Sequence, residues 1–416
     1  MKKRIWYLLV ILLFLNCRQN NLKTIKKHGQ TENTIFVFTD LEHNSEAPFL
    51  FNNGTNIVLN WTEWDAHNKR NNLLKYAIFD TKTRKFDSIK TVPGSKGLQM
   101  HAESMAKVGI KPDGTLFAVY RKKSKDDKTR FGGHIYYVFS KDKGNTWSKQ
   151  FKLVKDTVST SQSFYDITVL PDNNMGLIWL DSRSKKRGKT LYVAKSDSLN
   201  RFSIQKPVAF STCECCRTEL YVDERGYINI AYRNLIEPDE TGFDGYGQTE
   251  IRDMYYLVSK DSLRSFSVPE PISKDNWHIY GCPHTGPSLA YNGESLGAIW
   301  FTAAHNEPGL FFTTRRQNGF LSRQKISVEG RHPQMTAAKG NFYRVYEEYY
   351  EQNGKGYYKI VLNTLTKDGK ITIKEISKPE TNNNHAVITA FDNTLLIAWV
   401  NTDTRHPKIM YKLIKI

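Results

Sequence analysis

Seven short apolar runs, each ending in a tryptophan or a tyrosine, recur along this chain at intervals of 46 to 68 residues. A turn rich in Gly, Asn or Asp lies before the run in most repeats, and another β-rich run follows it. One sheet of three or four such strands cannot bury both faces, whereas sheets arranged in a ring cover one another. The repeat therefore predicts an all-β propeller over residues 34–416. The terminal aromatics, which we expect to pack between blades without a chemical role, are Trp61, Tyr120, Trp179, Tyr232, Trp300, Tyr346 and Trp399.

The number of repeats favours seven four-stranded antiparallel blades, with six as the alternative if the first repeat is irregular. The seventh repeat lacks an outer strand of its own, while residues 34–40 (TIFVFTD) form a spare strand at the other end of the chain. Pairing of these two ends would remove an exposed sheet edge. We therefore expect the N-terminal strand to close the ring.

The first 33 residues are predicted to target the protein rather than to fold. Lys2, Lys3 and Arg4 precede an apolar run that ends just before Cys17, which is the arrangement of a secretory signal. The end of this run resembles a bacterial lipobox, which implies cleavage after residue 16 and lipidation of Cys17. The alternative is an ordinary cleaved signal with an incidental cysteine. Residues 17–33 are polar and predict a flexible tether, so we expect an exported, membrane-anchored lipoprotein on the periplasmic side or the cell surface.

The charge of the chain restricts its partners. Lys and Arg number 60 against 42 Asp and Glu, a formal net charge of +18. Loss of the three basic residues in the signal leaves the mature chain strongly positive. Such a charge attracts acidic glycans, anionic lipid or nucleic acid, and export argues against nucleic acid. We expect an acidic glycan or another anionic ligand, contact with a membrane only through the lipid, and a monomeric protein.

One turn carries a motif that indicates a family. Residues 140–147 read S-K-D-K-G-N-T-W. Asp142 can accept backbone hydrogen bonds within the turn, and Gly144 permits its conformation. Together with Ser140 and Trp147, they resemble the structural Asp-box of the sialidase-like BNR-repeat propellers. Degenerate copies occur at residues 195–202 and 259–266. Because Asp-boxes lie away from the catalytic face, the motif indicates an architecture and not a reaction.

The resemblance also implies a set of catalytic residue types. Sialidases of this kind hold the substrate carboxylate with three arginines, since a guanidinium matches a carboxylate in two hydrogen bonds. They use a tyrosine activated by a glutamate as the nucleophile and an aspartate as the acid/base. The candidates at predicted strand starts or ends are Tyr165, Asp166, Arg217, Arg233 and Arg252, with Glu103 or Glu219 as the glutamate.

Cysteines and histidines form a second candidate site. Cys213, Cys215 and Cys216 precede the first strand of the fourth repeat, and Cys282 with His284 precedes that of the fifth. First strands line the axis of a propeller, so these segments should face each other. A disulfide from Cys213 or Cys215 to Cys282, a copper or zinc site, and free thiols are the alternatives. The same alignment places His101, His332 and His385 near the mouth of the channel.

Two functions follow from these patterns. The first is a sialidase-like lipoprotein that acts on or binds acidic glycans, including as an exo-acting glycoside hydrolase. The second is a non-catalytic propeller that binds a ligand or a protein and carries a metal or disulfide cluster at blades four and five. Residues 46–51 hold no arginine where the family carries one in its first blade, which favours the second. The long loop at residues 234–248 belongs to the same repeat as the cysteine and arginine candidates, and the alternatives for it are a lid over them or a solvated acidic insertion.

Overall fold

The computed structural model describes residues 34–416 except 41, 66–67, 124–131, 156–160, 185–186, 237–249 and 280. The regular secondary structure of this part of the chain consists of β-strands. Among the described residues no helix has the length and apolar character that a bilayer crossing requires. The predicted signal peptide, lipidated Cys17 and tether, and most of the predicted lid, lie outside the described residues.

Seven antiparallel sheets form the blades, and in most of them the strands follow one another in chain order. The predicted all-β fold and the predicted count of seven are confirmed, and the alternative of six is wrong. A short strand, β1 (Ile35–Val37), comes first. Blade 1 contains β2 (Asn44–Asn52), β3 (Ile57–Trp64), β4 (Asn72–Asp80), β5 (Lys85–Phe86) and β6 (Lys90–Thr91); blade 2 contains β7 (Lys107–Ile110), β8 (Leu116–Lys122), β9 (His134–Ser140) and β10 (Phe151–Lys152); blade 3 contains β11 (Gln162–Val169), β12 (Met175–Asp181), β13 (Lys189–Lys195) and β14 (Gln205–Thr212).

The second half of the ring repeats this pattern, with one additional two-stranded ribbon between blades 4 and 5. Blade 4 contains β15 (Glu219–Val222), β16 (Ile228–Arg233), β18 (Met254–Ser259) and β19 (Glu270–Pro271), and the ribbon pairs β17 (Glu250–Ile251) with β20 (His278–Ile279). Blade 5 contains β21 (Ser288–Tyr291), β22 (Leu296–Thr302), β23 (Gly309–Arg316), β24 (Gly319–Phe320) and β25 (Gln324–Ser327); blade 6 contains β26 (Gly330–Ala338), β27 (Asn341–Gln352), β28 (Lys355–Leu365) and β29 (Ile371–Glu375); blade 7 contains β30 (Asn383–Phe391), β31 (Thr394–Asn401) and β32 (Lys408–Lys415).

The ring closes through its two chain ends. Strand β1 pairs antiparallel with β32, and Ile35 lies opposite Lys412. Phe36 stacks on Tyr411 with ring centroids 4.8 Å apart. The N-terminal strand therefore supplies the fourth strand of blade 7, as the sequence predicts, and covers an edge that would otherwise be open.

The aromatic residue near the end of each second strand fills the space between blades. All four tryptophans of this set are at most 1% exposed. Their indole N–H groups have buried partners where the sequence provides one: Trp300 donates to Asp275 over 2.7 Å, and Trp399 donates to Asn383 over 2.9 Å. The predicted architectural role of these residues agrees with their burial.

The turn at residues 140–147 has the hydrogen bonds that its motif predicts. The Asp142 carboxylate accepts bonds from the Thr146 backbone N–H at 2.8 Å and from the Ser140 hydroxyl at 2.7 Å. Gly144 adopts φ +91, a conformation that side chains disfavour. Trp147 packs edge-on against Tyr76 of blade 1. The turn therefore ties blade 2 to its neighbour.

A β-bulge early in the first strand shapes the mouth of the channel. The register shifts between Glu46 and Phe49 in β2, and at the equivalent places in β11, β26 and β30. In each bulge one non-glycine residue takes a left-handed backbone conformation, which re-aims its side chain. These residues are Ala47, Phe164, His332 and His385, with φ between 47 and 55.

Candidate functional site

All nine histidines in the described part of the chain lie at one face of the ring. Antiparallel strands alternate in direction, so the starts of first and third strands share a face with the ends of second and fourth strands. Histidines occupy only these positions or the loops that join them, which identifies this face as the chemically distinct one. They are His43, His101, His134, His278, His284, His305, His332, His385 and His406.

Four of these residues, His101, His284, His332 and His385, surround the mouth of the axial channel, and we call them the histidine collar. They form two pairs: the rings of His101 and His284 are 4.8 Å apart, and those of His332 and His385 are 4.4 Å apart and stacked. The charge of His385 contributes to lowering the pKa of His101, so the two pairs face the same opening.

The backbone holds three collar residues in an unusual conformation. His284, His332 and His385 all have φ between 47 and 53, in the left-handed region. Such non-glycine conformations cost about 1–3 kcal/mol each and persist where the surrounding structure imposes them. The bulges in β26 and β30 impose them on His332 and His385 and direct both rings to the axis.

Glu347 in β27 orients His332. Its carboxylate lies 2.7 Å from Nδ1 of His332 and also accepts the backbone N–H of His385 at 2.7 Å. A proton on Nδ1 leaves Nε2 as the free, basic nitrogen of His332. Burial opposes the charged ring, but the hydrogen bond and the charge of Glu347 outweigh it and raise the pKa of His332. Burial also acts on Glu347, yet its bond to His332 keeps the pKa of this carboxyl low.

The pair of His101 and His284 differs from the other pair in the charge around it. Burial of the His101 ring, together with the charge of His284, lowers the pKa of His101 to about 4. Phe164 packs edge-on against His101 with centroids 5.8 Å apart, and no carboxylate bonds to either ring of this pair among the described residues. His101 is therefore neutral at pH 7, and among the described residues only the other pair of the collar is held by a carboxylate.

A buried ion pair lies directly beneath the collar. Glu103 accepts a bond from Arg217 Nε at 3.0 Å, and both side chains are 4% exposed. Arg217 also donates to the carbonyl oxygens of Gly286 and Pro333 at 3.3 and 3.1 Å. The guanidinium of Arg217 therefore ties together the segments that lead into the first strands of blades 2 and 5 and the first strand of blade 6.

A cavity of about 190 Å³ continues along the axis below this ion pair and is lined by the first strands. Lys107 and Asp166 form a buried ion pair in its wall, 3.2 Å apart. Glu219 lies on the same wall, and burial together with the Asp166 charge raises the pKa of Glu219 to about 7. The channel therefore holds two carboxylates, Asp166 and Glu219, next to the cations of Lys107 and Arg217.

Tyr165 and Asp166, which were both predicted to belong to one site, are neighbours in β11, so their side chains point to opposite faces of the sheet. Tyr165 is 2% exposed and belongs to the core between blades. Burial raises the pKa of its phenol far above the ordinary value, which does not suit an exposed, activated nucleophile. Asp166 faces the cavity, where it accepts the backbone N–H of Leu220 at 2.8 Å.

The three predicted arginines do not converge on one point. Arg217 is committed to Glu103, as described above. Arg233 donates to the carbonyl oxygens of Arg252 and Phe301 and is 1% exposed. The guanidinium of Arg252 pairs with Glu250 at 2.6 Å. Each guanidinium therefore has separate partners, an arrangement that favours structural roles over joint binding of a substrate carboxylate.

The predicted disulfide between the fourth and fifth repeats is absent from the described cysteines. Cys213, Cys215 and Cys216 bring their sulfur atoms within 4.8 Å of one another in a buried cluster, whereas Cys282 is exposed. All four are free thiols, so the predicted bond from Cys213 or Cys215 to Cys282 is not formed. The reason is local, because the turn before β15 folds its three thiols toward each other. His284 lies in the collar and not in this cluster.

Donor atoms of Glu103, His332 and His385 also lie within 4.8 Å of one another. The two rings are stacked at an interplanar angle of 24°. Their nitrogen lone pairs consequently run side by side instead of converging on one point, and Glu103 is already paired with Arg217. The geometry of these three side chains suits transfer of a proton between the two histidines better than coordination of a metal ion.

The sequence pattern identified three collar positions but not their partner. His101, His332 and His385 were expected near the channel mouth, and the structure brings them together there. Glu347 was missed, although it directly follows the terminal aromatic Tyr346 of its repeat. An acidic residue at that position is the signal that could have found it, since the end of a second strand shares a face with the start of a first strand.

Comparison with known proteins gives the fold alone. No family model matches the chain, and no curated protein matches it. The polysaccharide lyase Uly1 superposes with a TM-score of 0.55 at 12% identity over 94% of both chains. A PL25 ulvan lyase bound to -[GlcA(1-4)Rha3S]- gives 0.53 at 12% identity, over 90% of this chain and 94% of that one. A Trypanosoma rangeli sialidase in complex with sialic acid gives 0.45 at 10% identity, over 91% of this chain and 57% of that one.

Proposed function

We propose that this protein acts on an acidic glycan at the histidine collar and cleaves it by β-elimination beside a uronic acid. The observation that carries the proposal is the 2.7 Å pair of His332 and Glu347, which presents a basic Nε2 at the mouth of the channel. The net charge of +18 favours a polyanionic ligand. Two superposable proteins with TM-scores above 0.5 are polysaccharide lyases, one of them bound to a glucuronate-containing chain, which supports this class of chemistry.

In this reaction Nε2 of His332 takes the proton on C5 of the uronate, which lies next to its carboxylate. The electron pair of the C5–H bond forms the C4=C5 double bond, and the C4–O bond to the next sugar breaks. The protonated His332 then gives its proton to the departing oxygen, so one residue serves as base and acid. Glu347 stabilises the imidazolium between the two transfers. Arg121, whose charge acts on His101, contributes positive charge for the substrate carboxylate.

The test incubates the purified chain with polysaccharides that contain uronic acids and follows the ultraviolet absorbance of the new double bond. His332→Asn should lower kcat by about 10²–10⁴-fold, the usual contribution of a general base. His305→Asn is the matched control, because His305 is an exposed histidine on the same face outside the collar. A His332→Asn variant as active as His305→Asn would overturn the assignment.

Glu347 is a positioning residue, and its test uses the pH profile. The reaction needs neutral His332, so kcat/KM should rise with pH through the raised pKa of this histidine. Glu347→Gln removes the negative charge that raises the pKa of His332. The pH at which kcat/KM rises should therefore become lower, and kcat should fall. Glu347→Asp should restore part of the profile. A profile that does not move in Glu347→Gln would contradict the role of Glu347.

Glycoside hydrolysis is the second candidate, and the pair of carboxylates in the cavity favours it. Glu219, whose pKa is raised to about 7, would donate the proton, and Asp166, paired with Lys107 at 3.2 Å, would be the second carboxylate. The same assay separates the two reactions, because hydrolysis releases reducing ends without the ultraviolet signal. Release of sialic acid from a fluorogenic sialoside, without any unsaturated product, would replace the lyase proposal with this one.

The cellular setting of the proposed function is a membrane surface outside the cytoplasm. The basic start, apolar run and Cys17 of the sequence support export and lipid attachment. A lipid anchor would hold the collar near the cell, where an imported or surface-bound glycan is processed. We expect the anchored protein to be a monomer, and light scattering of the detergent-solubilised chain measures this.

A further inference from the structure

Three thiols form a compact group in the turn before β15. The sulfur atoms of Cys213 and Cys215 are 3.8 Å apart, and those of Cys213 and Cys216 are 3.0 Å apart. The side chains are 1%, 7% and 1% exposed in sequence order. A buried free thiol does not need a polar partner. Burial alone therefore does not explain why the three sulfur atoms lie so close together.

The backbone of this turn is fixed from both sides. The N–H of Cys213 donates to the carbonyl oxygen of Arg233 at 2.9 Å. The hydroxyl of Thr212 donates to the carbonyl oxygen of Lys189 at 2.9 Å. The thiols themselves pack among apolar residues of blades 3 and 4. The group is therefore a preformed cluster and not a consequence of a loose loop.

A disulfide does not account for the cluster. Neighbouring and next-neighbouring cysteines close strained rings, so only Cys213 and Cys216 form a suitable pair. Their sulfur atoms are 3.0 Å apart, well beyond the ~2.05 Å of a bond. Such a bond would also leave Cys215 unused inside the cluster. Thiolates on one ion with bonds of about 2.3 Å lie roughly 3.8 Å apart. The sulfur atoms of Cys213 and Cys215 already have this separation, and those of Cys213 and Cys216 would move apart by less than 1 Å to admit the ion.

The cluster also has a counter-charge. Nη1 of Arg252 lies 3.3 Å from the sulfur of Cys213 and 3.8 Å from that of Cys215. A cation at this distance compensates the negative charge of thiolate ligands, which a buried apolar site does not otherwise tolerate. Glu250 holds the same guanidinium in place over 2.6 Å. Arg252, one of the catalytic candidates of the sequence analysis, therefore lies against the sulfur cluster instead.

We propose that Cys213, Cys215 and Cys216 form a buried three-thiolate site for a thiophilic metal ion, copper(I). Soft thiolate ligands select copper(I) and zinc. Structural zinc takes four protein ligands, and among the residues that the structure describes no fourth donor joins this group. A three-coordinate ion is therefore expected. Binding releases the thiol protons and changes no oxidation state when the metal is supplied as copper(I). The site is independent of the proposed glycan chemistry.

The test uses the full chain, purified and loaded with copper(I) under anaerobic, reducing conditions, and measures metal per chain by elemental analysis. We expect one copper per chain in the wild type and in Cys282→Ser, which changes the exposed cysteine. Each of Cys213→Ser, Cys215→Ser and Cys216→Ser should reduce the bound metal at least tenfold. Zinc with the same dependence on these variants would support the site and change the ion.

Protection of the thiols keeps the proposal testable if a variant fails to fold. In the loaded wild-type chain, N-ethylmaleimide should modify Cys282, and Cys17 where it carries no lipid, but none of Cys213, Cys215 and Cys216. Removal of the metal by a chelator followed by mild unfolding should expose these three. Sulfur should be the only neighbour of the metal in its X-ray absorption spectrum. Absence of bound metal, an intact mass two hydrogens lower through a disulfide, or equal loss of metal in Cys282→Ser would each overturn the proposal.

Discussion

Replacement of Arg217 by methionine tests whether one guanidinium organises the mouth of the channel. The side chain is 4% exposed and pairs with Glu103 at 3.0 Å and with Glu219 at 3.3 Å. It also donates to two carbonyl oxygens on blades 5 and 6. Arg217→Met keeps most of the buried volume but leaves two carboxylates in the channel without their cation.

The magnitude follows from this burial. Removal of one partner from a buried ion pair typically costs about 3–5 kcal/mol, because the remaining charge is not solvated. With an unfolding entropy of about 2.1 cal/mol/K per residue over roughly 380 residues, this loss corresponds to a fall in Tm of about 4–6 °C. Arg315→Met is the matched control: Arg315 pairs with Glu270 in a partly exposed bridge, where the expected cost is about 0–1 kcal/mol.

The pH dependence gives the test a sign. In the wild type, burial acts on Glu103, but the charge of Arg217 outweighs it and lowers the pKa of this carboxyl. Its stabilising contribution is therefore present above the unfolded pKa and is lost as pH falls through the folded pKa. Without Arg217, burial dominates and the folded pKa rises. The carboxyl then favours the folded state only below the unfolded pKa, and this contribution is lost as pH rises.

The stability deficit of Arg217→Met should therefore be larger at pH 7 than at pH 5. Urea unfolding followed by tryptophan fluorescence measures it at both values, beside Arg315→Met. The double variant Arg217→Met with Glu103→Gln should recover part of the deficit at pH 7, because it removes one of the unpaired charges. A deficit equal to that of Arg315→Met, or one that does not change with pH, would refute the assignment of a buried charge network.

Three further outcomes are expected elsewhere in the chain. Asp142→Asn should lower the free energy of unfolding at pH 7. In the wild type, the contribution of Asp142 should be lost as pH falls from the pKa of the unfolded state toward the folded pKa of about 2. Acid titration of both proteins measures this. Trp399→Ala should destabilise the ring by about 3–5 kcal/mol in urea, unlike Ile373→Ala at an exposed site. Cys17→Ser should move the protein from the membrane fraction to the soluble fraction on cell fractionation, and retention in the membrane would contradict lipidation.

The fold was predictable because its signals are local and repeated. Each blade contributes an apolar second strand that contains a buried aromatic residue after its apolar run, and this pattern needs no knowledge of distant contacts. Ring closure also followed from the sequence, since one repeat lacked a strand and residues 34–40 supplied it. The bulges were not predictable in the same way, because Ala47, Phe164 and the two histidines, His332 and His385, share a backbone conformation without sharing one type of side chain.

The site was predictable only in part. Alignment of the repeats placed the histidines correctly at the channel mouth, because it depends on strand order alone. It could not show that Glu347 faces His332, since this contact depends on the twist and register of two strands. It also predicted a disulfide between Cys282 and Cys213 or Cys215 that is not formed. The two turns belong to adjacent blades, but Cys213 and Cys215 are buried and Cys282 is exposed to solvent.

The shared bulge separates architecture from chemistry in this propeller. Ala47 adopts the same left-handed conformation as His332 and His385, yet a methyl group has no chemistry to offer. The conformation therefore belongs to the way these first strands pack around the axis, and strain at the position does not by itself indicate function. Function depends on which side chain the bulge presents. Blades 6 and 7 present two imidazoles over one carboxylate, and this difference from blade 1 is the reason to place the reaction on that side of the ring.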